Sequence, residues 1–133
     1  MATLAAPDHE SKPETRIASR WQDLCDAEPP ASRRSAVDSA GAPLPEGSFL
    51  VHGLFSEGEC AALIEAAETT AGFGITNYAK KYRGNLRLMT SDRSLAAVAW
   101  DRLKALVPPT ITLDDGSEWY AVGLNEVWRL AKY

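Results

Sequence analysis

The chain has 133 residues, 45% of them hydrophobic and 24% charged, which suits one modest domain and is too short for two ordinary ones. A net charge of −4 and an isoelectric point of about 5.2 give no global attraction to nucleic acid or an anionic membrane, so nucleic-acid binding is disfavoured. The two cysteines, Cys25 and Cys60, lie far apart and lack metal-ligand spacing, which argues against a disulfide framework or a zinc site and for reduced thiols in the cytoplasm. No stretch approaches the ~18 apolar residues that span a bilayer, and the opening "MATLAAPDHESKPE" has early acids and no apolar run of signal-peptide length.

Composition divides the chain near residue 45. The first part, including "EPPASRRSAVDSAGAPLPEG", is rich in Pro, Ser, Ala and Gly, so burial offsets little of its ordering entropy and residues 1–45 read as a flexible leader. Within it "ETRIASRWQDLCDA" places Ile17, Trp21, Leu24 and Cys25 on one face of a short helix at 15–26, expected to dock on the domain that follows. "SFLVH" is a short apolar strand. In "GLFSEGECAALIEAAETTAG", Ser56 and Glu59 form a capping box, Phe55 is placed to staple against Cys60, and a helix over 57–71 is predicted. Cys60, Leu63, Ile64, Ala67 and Ala71 make its apolar stripe, and Gly72 is available to end it.

The stretch "GFGITNYAKKYRGNLRLMTSDR" has no helical period and carries Lys80, Lys81, Arg83 and Arg87; it reads as a solvated or functional loop running into a strand at 86–89. A second helix is predicted over 92–107, capped by Ser91 or Asp92 and ended by Pro108 and Pro109. Leu95, Ala99, Trp100, Leu103, Leu106 and Val107 form its buried arc. "TITLDDGSEWYAVGLNE" gives an acidic turn at Asp114 and Asp115 and a strand at 119–122. In the closing strand, 124–133, period two puts Asn125, Val127, Arg129, Ala131 and Tyr133 on one side, a poor core face and a suitable cavity wall. Leu124, Glu126, Trp128, Leu130 and Lys132 lie on the other, which suits packing.

No catalytic set emerges from these residues. A facial-triad iron site needs two histidines and a carboxylate, and only His9 and His52 exist, neither in a His-x-Asp pair. No zincin helix, P-loop, nucleophile elbow or dinucleotide fingerprint occurs.

The ordered runs "FLVHGLFSEGECAALIEAAE", "YRGNLRLMTSDRSLAAVAWDRLKALVP" and "WYAVGLNEVWRLAKY" nevertheless closely resemble the N-terminal half of the prolyl 4-hydroxylase-like, iron(II)- and 2-oxoglutarate-dependent oxygenases. The resemblance implies an α+β fold in which two helices pack on the first strands of an incomplete double-stranded β-helix, or jelly roll, over 46–133. It implies that the His-x-Asp metal motif follows Tyr133. It also implies that Tyr133 faces the cosubstrate side, with Arg129 and Asn125 beside it, and that Arg83, Asn85 and Arg87 lie on a loop at the substrate entrance. The sequence departs from the family at Ala131 and Lys132, where an aromatic and an arginine are common.

In the parent family 2-oxoglutarate is oxidatively decarboxylated as a C–H bond is hydroxylated, with iron(II), 2-oxoglutarate and ascorbate as cofactors and a prolyl side chain or a small molecule as substrate. None of these cofactors is expected to bind this chain alone. Three readings follow: a truncated oxygenase, inactive by itself; a non-catalytic protein-binding module derived from that fold; and an unrelated α+β domain. The last strand, lacking barrel neighbours, is expected to mediate self-association.

Overall fold

In a computed structural model the protein is described for residues 15–17, 20–71, 74–75 and 86–133. It is a mixed α and β structure of three helices and small antiparallel sheets. In chain order these are α1 (Trp21–Leu24), β1 (Arg33–Ser35), β2 (Leu50–His52), α2 (Glu57–Ala66), a π turn (Ala67–Ala71) and β3 (Gly74–Ile75). They are followed by β4 (Leu86–Ser91), α3 (Arg93–Leu103), β5 (Thr110–Thr112), β6 (Glu118–Tyr120) and β7 (Val127–Lys132). β1 pairs with β2, β5 with β6, and β3, β4 and β7 form a sheet in that order; among the described residues no sheet closes into a barrel.

The β4–β7 ladder positions everything else. Its register runs from Leu86 opposite Lys132 to Ser91 opposite Val127. Directly paired residues share a face, so Leu88, Thr90, Trp128 and Leu130 lie on one side, and Arg87, Met89, Arg129 and Ala131 on the other. The first side is packed: Thr90 is buried, and Trp128 joins the core of Trp21, Leu95 and Val98, with Phe55, Ala62 and Leu63 around it. At the far end of this side Lys132 reaches Glu68 in the π turn. The face expected to be buried is therefore the one the helices cover.

α3 begins where its cap dictates. Asp92, fully buried, accepts hydrogen bonds from Leu95 N (2.9 Å), Ser94 Oγ (2.7 Å) and Trp21 Nε1 (2.9 Å). Its own N–H donates to Glu126 O at 2.8 Å, extending the β4–β7 pairing by one residue. Ser94, Leu95, Ala96, Val98 and Ala99 are buried, and Trp100 and Leu103 half-buried. α helix stops at Leu103 rather than 107, since Leu106 and Val107 fold back as turns onto the Leu103 carbonyl.

α2 shows the expected capping box, with Ser56 N donating to Glu59 Oε1 (2.9 Å) and Glu59 N to Ser56 Oγ (3.1 Å). The predicted stripe is rotated. Cys60 is exposed and Ile64 is 59% exposed, whereas Glu59 is buried beside Ala67. Glu59 turns inward because Arg102 of α3 grips both of its oxygens, at 2.8 and 2.7 Å. Phe55 turns to the core, 5.4 Å from the Arg102 guanidinium carbon to its ring centroid, instead of stapling Cys60. The last turn widens to π geometry where Thr69 Oγ1 donates to Glu65 O at 2.7 Å, a side chain competing for the helical acceptor. Gly72 lies outside the described residues.

The division at residue 45 is not a boundary in the fold. Ile17 and Trp21 are buried, and Trp21 N donates to Ser94 Oγ at 3.0 Å. Thr15 N donates to Ser91 O at 2.9 Å and Ser91 N to Thr15 Oγ1 at 2.8 Å. β1 pairs with β2 along its whole length. Gly53 makes that approach possible: at φ +72° a Cβ there would stand 2.9 Å from the Ala31 carbonyl oxygen. Two buried side chains and many hydrogen bonds supply what the low apolar content of 1–45 withholds. The helix expected at 15–26 is a single turn, because the backbone at Thr15 is committed to Ser91; Leu24 is exposed and only Cys25 of its later pair is partly covered.

Candidate functional site

The uncovered face of β4–β7 holds the chemistry that the helices do not use. Register places Arg87 opposite Ala131 and Met89 opposite Arg129, so the two arginines are diagonal neighbours, about 7 Å apart at their β-carbons. Arg87 is half-buried; Arg129 and Ala131 are exposed and Met89 is 53% exposed. None of the ion pairs among the described residues engages either arginine. Two unpaired guanidinium groups on a flat strip beside a methionine can hold a carboxylate or phosphate through charge-assisted hydrogen bonds.

Each residue expected at the site has a definite fate. Arg129 and Arg87 meet on this face, although one was expected on the cosubstrate wall and the other on the entrance loop. Arg87 belongs to β4, which starts at Leu86 as expected and runs on to Ser91, two residues beyond the predicted end. Tyr133 lies one residue beyond β7 and is 99% exposed, so no described residue covers it. Asn125 precedes β7, and its side-chain oxygen accepts from Val127 N at 2.9 Å, which commits that oxygen to shaping the strand's start. Arg83 and Asn85 lie outside the described residues.

Next to this face a groove of about 710 Å³ opens between α3 and the segment 122–127. Ala96, Ala97, Trp100, Val122 and Leu124 line it, and the Arg93–Glu126 ion pair (2.7 Å) stands at its side. Its wall is mainly apolar. Arg93 is engaged, so the groove presents no open cation.

Glu59, Arg102 and Cys25 serve the fold. Glu59 is held well below the usual carboxylate range, at about 2, chiefly by the Arg102 guanidinium and then by the Ser56 and Asp26 amides. Arg102 also donates to Leu54 O at 2.7 Å, so one guanidinium ties α3 to the turn before α2. Burial pushes the Cys25 thiol up, and the thiol donates to Trp21 O, so it is no nucleophile. Sequence reading missed the Glu59–Arg102 pair, yet left a signal: Arg102 falls seven residues after Leu95, on the buried arc of α3, where a charge requires a partner.

Among the described residues no three His, Cys, Asp or Glu side chains are grouped so as to hold a metal ion. His52 stands on β2, Asp92 is consumed by its three donors and Glu59 by Arg102. These donors do not fit iron(II). Comparison with protein families, characterised proteins and solved structures finds no match to this chain.

Proposed function

We propose that residues 46–133 form the helix-backed first wall of a prolyl 4-hydroxylase-like, 2-oxoglutarate-dependent oxygenase pocket, a part that is inactive alone because its described residues do not assemble an iron site. The reading rests on one observation, the two-faced β4–β7 ladder, covered by α3 on one side and bearing Arg87 and Arg129 without ion partners on the other. In a jelly-roll oxygenase the uncovered face would be the inner wall. Its role would be to orient an acidic cosubstrate and exclude water, the protein's ordinary share in cofactor chemistry. Iron(II) and 2-oxoglutarate belong to the complete enzyme, and a prolyl side chain or small molecule would be its substrate.

Sequencing the transcript across the Tyr133 codon tests this. A continuation through a Gly-containing turn into His-x-Asp supports the oxygenase. An immediate stop codon with an expressed 133-residue product overturns it and favours a binding module. For the isolated chain, anaerobic titration with iron(II) and 2-oxoglutarate is expected to give no charge-transfer band, and a band at one equivalent would reveal a metal site in residues considered unable to form one. The non-catalytic module stays as the second reading because β7 is the edge strand of its sheet among the described residues.

A further inference from the structure

The groove between α3 and the segment 122–127 has a polar end that the fold does not use. Alternation along β4 sends Thr90 toward the helices and Ser91 to the other side, where Val127 stands directly opposite it. Ser91 lines the groove there, is only 7% exposed, and carries a hydroxyl without a hydrogen-bond partner. Its backbone is fully engaged, the N–H by Thr15 Oγ1 and the C=O by Thr15 N, so the side chain alone is left over. A buried hydroxyl with no partner costs free energy, and native folds keep few of them.

Asn125 stands at the same end, since the Val127 N–H that its Oδ1 accepts belongs to the residue paired with Ser91. That bond orients the amide and leaves the two Nδ2 hydrogens to donate. Away from this end the wall turns apolar. Ala96 and Ala97 on α3 are small and leave room beside the half-buried ring of Trp100, and Leu124 stands on the opposite wall. Arg93 and Glu126 neutralise each other at the side, so neither offers an open charge.

We infer that this groove is a binding site for a small neutral molecule with an aromatic body and a carbonyl group. The ring lies against Trp100 in the space beside Ala97, and the carbonyl oxygen accepts from Ser91 Oγ and Asn125 Nδ2. Each alternative meets an obstacle. An anion would face Glu126 with Arg93 already engaged, and a wholly apolar molecule would leave the Ser91 hydroxyl without a partner. A groove of about 710 Å³, mostly apolar with a few convergent polar groups, has the size and character of a small-molecule site. The inference does not draw on Arg87 or Arg129, so it and the oxygenase reading can fail separately.

Benzamide is the probe, added to the full chain and followed through amide proton and nitrogen chemical shifts. The Ala97, Gly123 and Leu124 amides and the Trp100 indole should move along one saturable curve, with half-saturation on the order of 1 mM for so small a ligand. The Arg87 and Arg129 amides should stay in place. Toluene, which has no acceptor, should bind about fivefold more weakly than benzamide.

Ser91→Ala should weaken benzamide about fivefold and leave toluene unchanged, a split that a merely structural role of the hydroxyl would not produce. Ala97 is exposed, so Ala97→Leu fills the groove without entering the core and should abolish binding of both probes. Four results would each overturn the inference: no saturable shift up to about 10 mM benzamide, benzoate binding as tightly as benzamide, Ser91→Ala binding benzamide as well as the native chain, or binding undiminished in Ala97→Leu.

Discussion

The corner where α1, α2 and α3 meet and the β5–β6 hairpin are built by opposite means. In the corner Trp21, Leu95 and Asp92 are buried, and residues more than 70 positions apart hydrogen-bond through Trp21, Ser94 and Asp92. The contacts that shape the hairpin's turn are local. Gly116 at φ +83° turns the chain, Asp115 takes the Ser117 N–H, and Leu113 N donates to Ser117 O. Its Ile111 and Trp119 pair across the strands, yet both remain more than half exposed. Local turn chemistry can therefore make a hairpin without a core beneath it, whereas the corner exists only because distant segments meet.

The largest expected effect comes from breaking the corner. Trp21→Ala should cost about 3–5 kcal/mol, since it empties a fully covered site and strips Asp92 of a donor. Trp21→Phe keeps most of the volume but leaves the carboxylate short of one partner, and about 1–3 kcal/mol is expected. Urea titration measures both. A cost under about 1 kcal/mol for the alanine variant would mean that residues 15–26 do not belong to the core.

Acid should sharpen the contrast next. The Glu59 carboxyl is held at about 2 by Arg102, against an ordinary value of 4.5. A carboxyl depressed on folding adds stability above its unfolded value, and that stability drains away as pH falls from about 4.5 toward 2. The pair is nearly dry, so the loss is about 3 kcal/mol over that window. Stability measured stepwise from pH 6 to 2 should fall more steeply for the native chain than for Glu59→Gln, which carries no titrating group there. Parallel curves would show that Arg102 does not hold the carboxylate.

What the sequence made legible follows the same divide. Period-two alternation found the two faces of β7, and Ser56 and Glu59 announced the start of α2, because those signals are local. The buried face of α2 was misplaced since the Glu59 carboxylate can be buried only once Arg102, 43 residues away, pairs with it. β1 was hidden for a related reason. "RRS" has no apolar pattern, and it is fixed by pairing with β2 and by Arg34, whose guanidinium carbon lies 4.6 Å from the Phe49 ring centroid and which also donates to Leu106 O. At the candidate site Arg129 was placed by alternation alone, but its approach to Arg87 depended on a register no spacing reveals.

The smallest effect should come from the hairpin, and it decides whether the contrast is real. Trp119→Ser removes a side chain that is 51% exposed in the fold, so less transfer energy is at stake than at the covered Trp21. What it forfeits is the cross-strand contact with Ile111, worth about 0.2–1 kcal/mol. The hydrogen bond from Trp119 Nε1 to Ser117 Oγ is solvent-exposed and adds little, because water replaces it. Equilibrium unfolding of Trp119→Ser should therefore lie within about 1 kcal/mol of the native chain, several-fold less than for Trp21→Ala. Acrylamide quenching gives a second, independent measure: the emission lost with Trp119 should be the readily quenched fraction, and that lost with Trp21 the protected one. If both tryptophans prove equally costly and equally shielded, the hairpin has a covering partner in solution and is not the self-supporting unit that its turn chemistry describes.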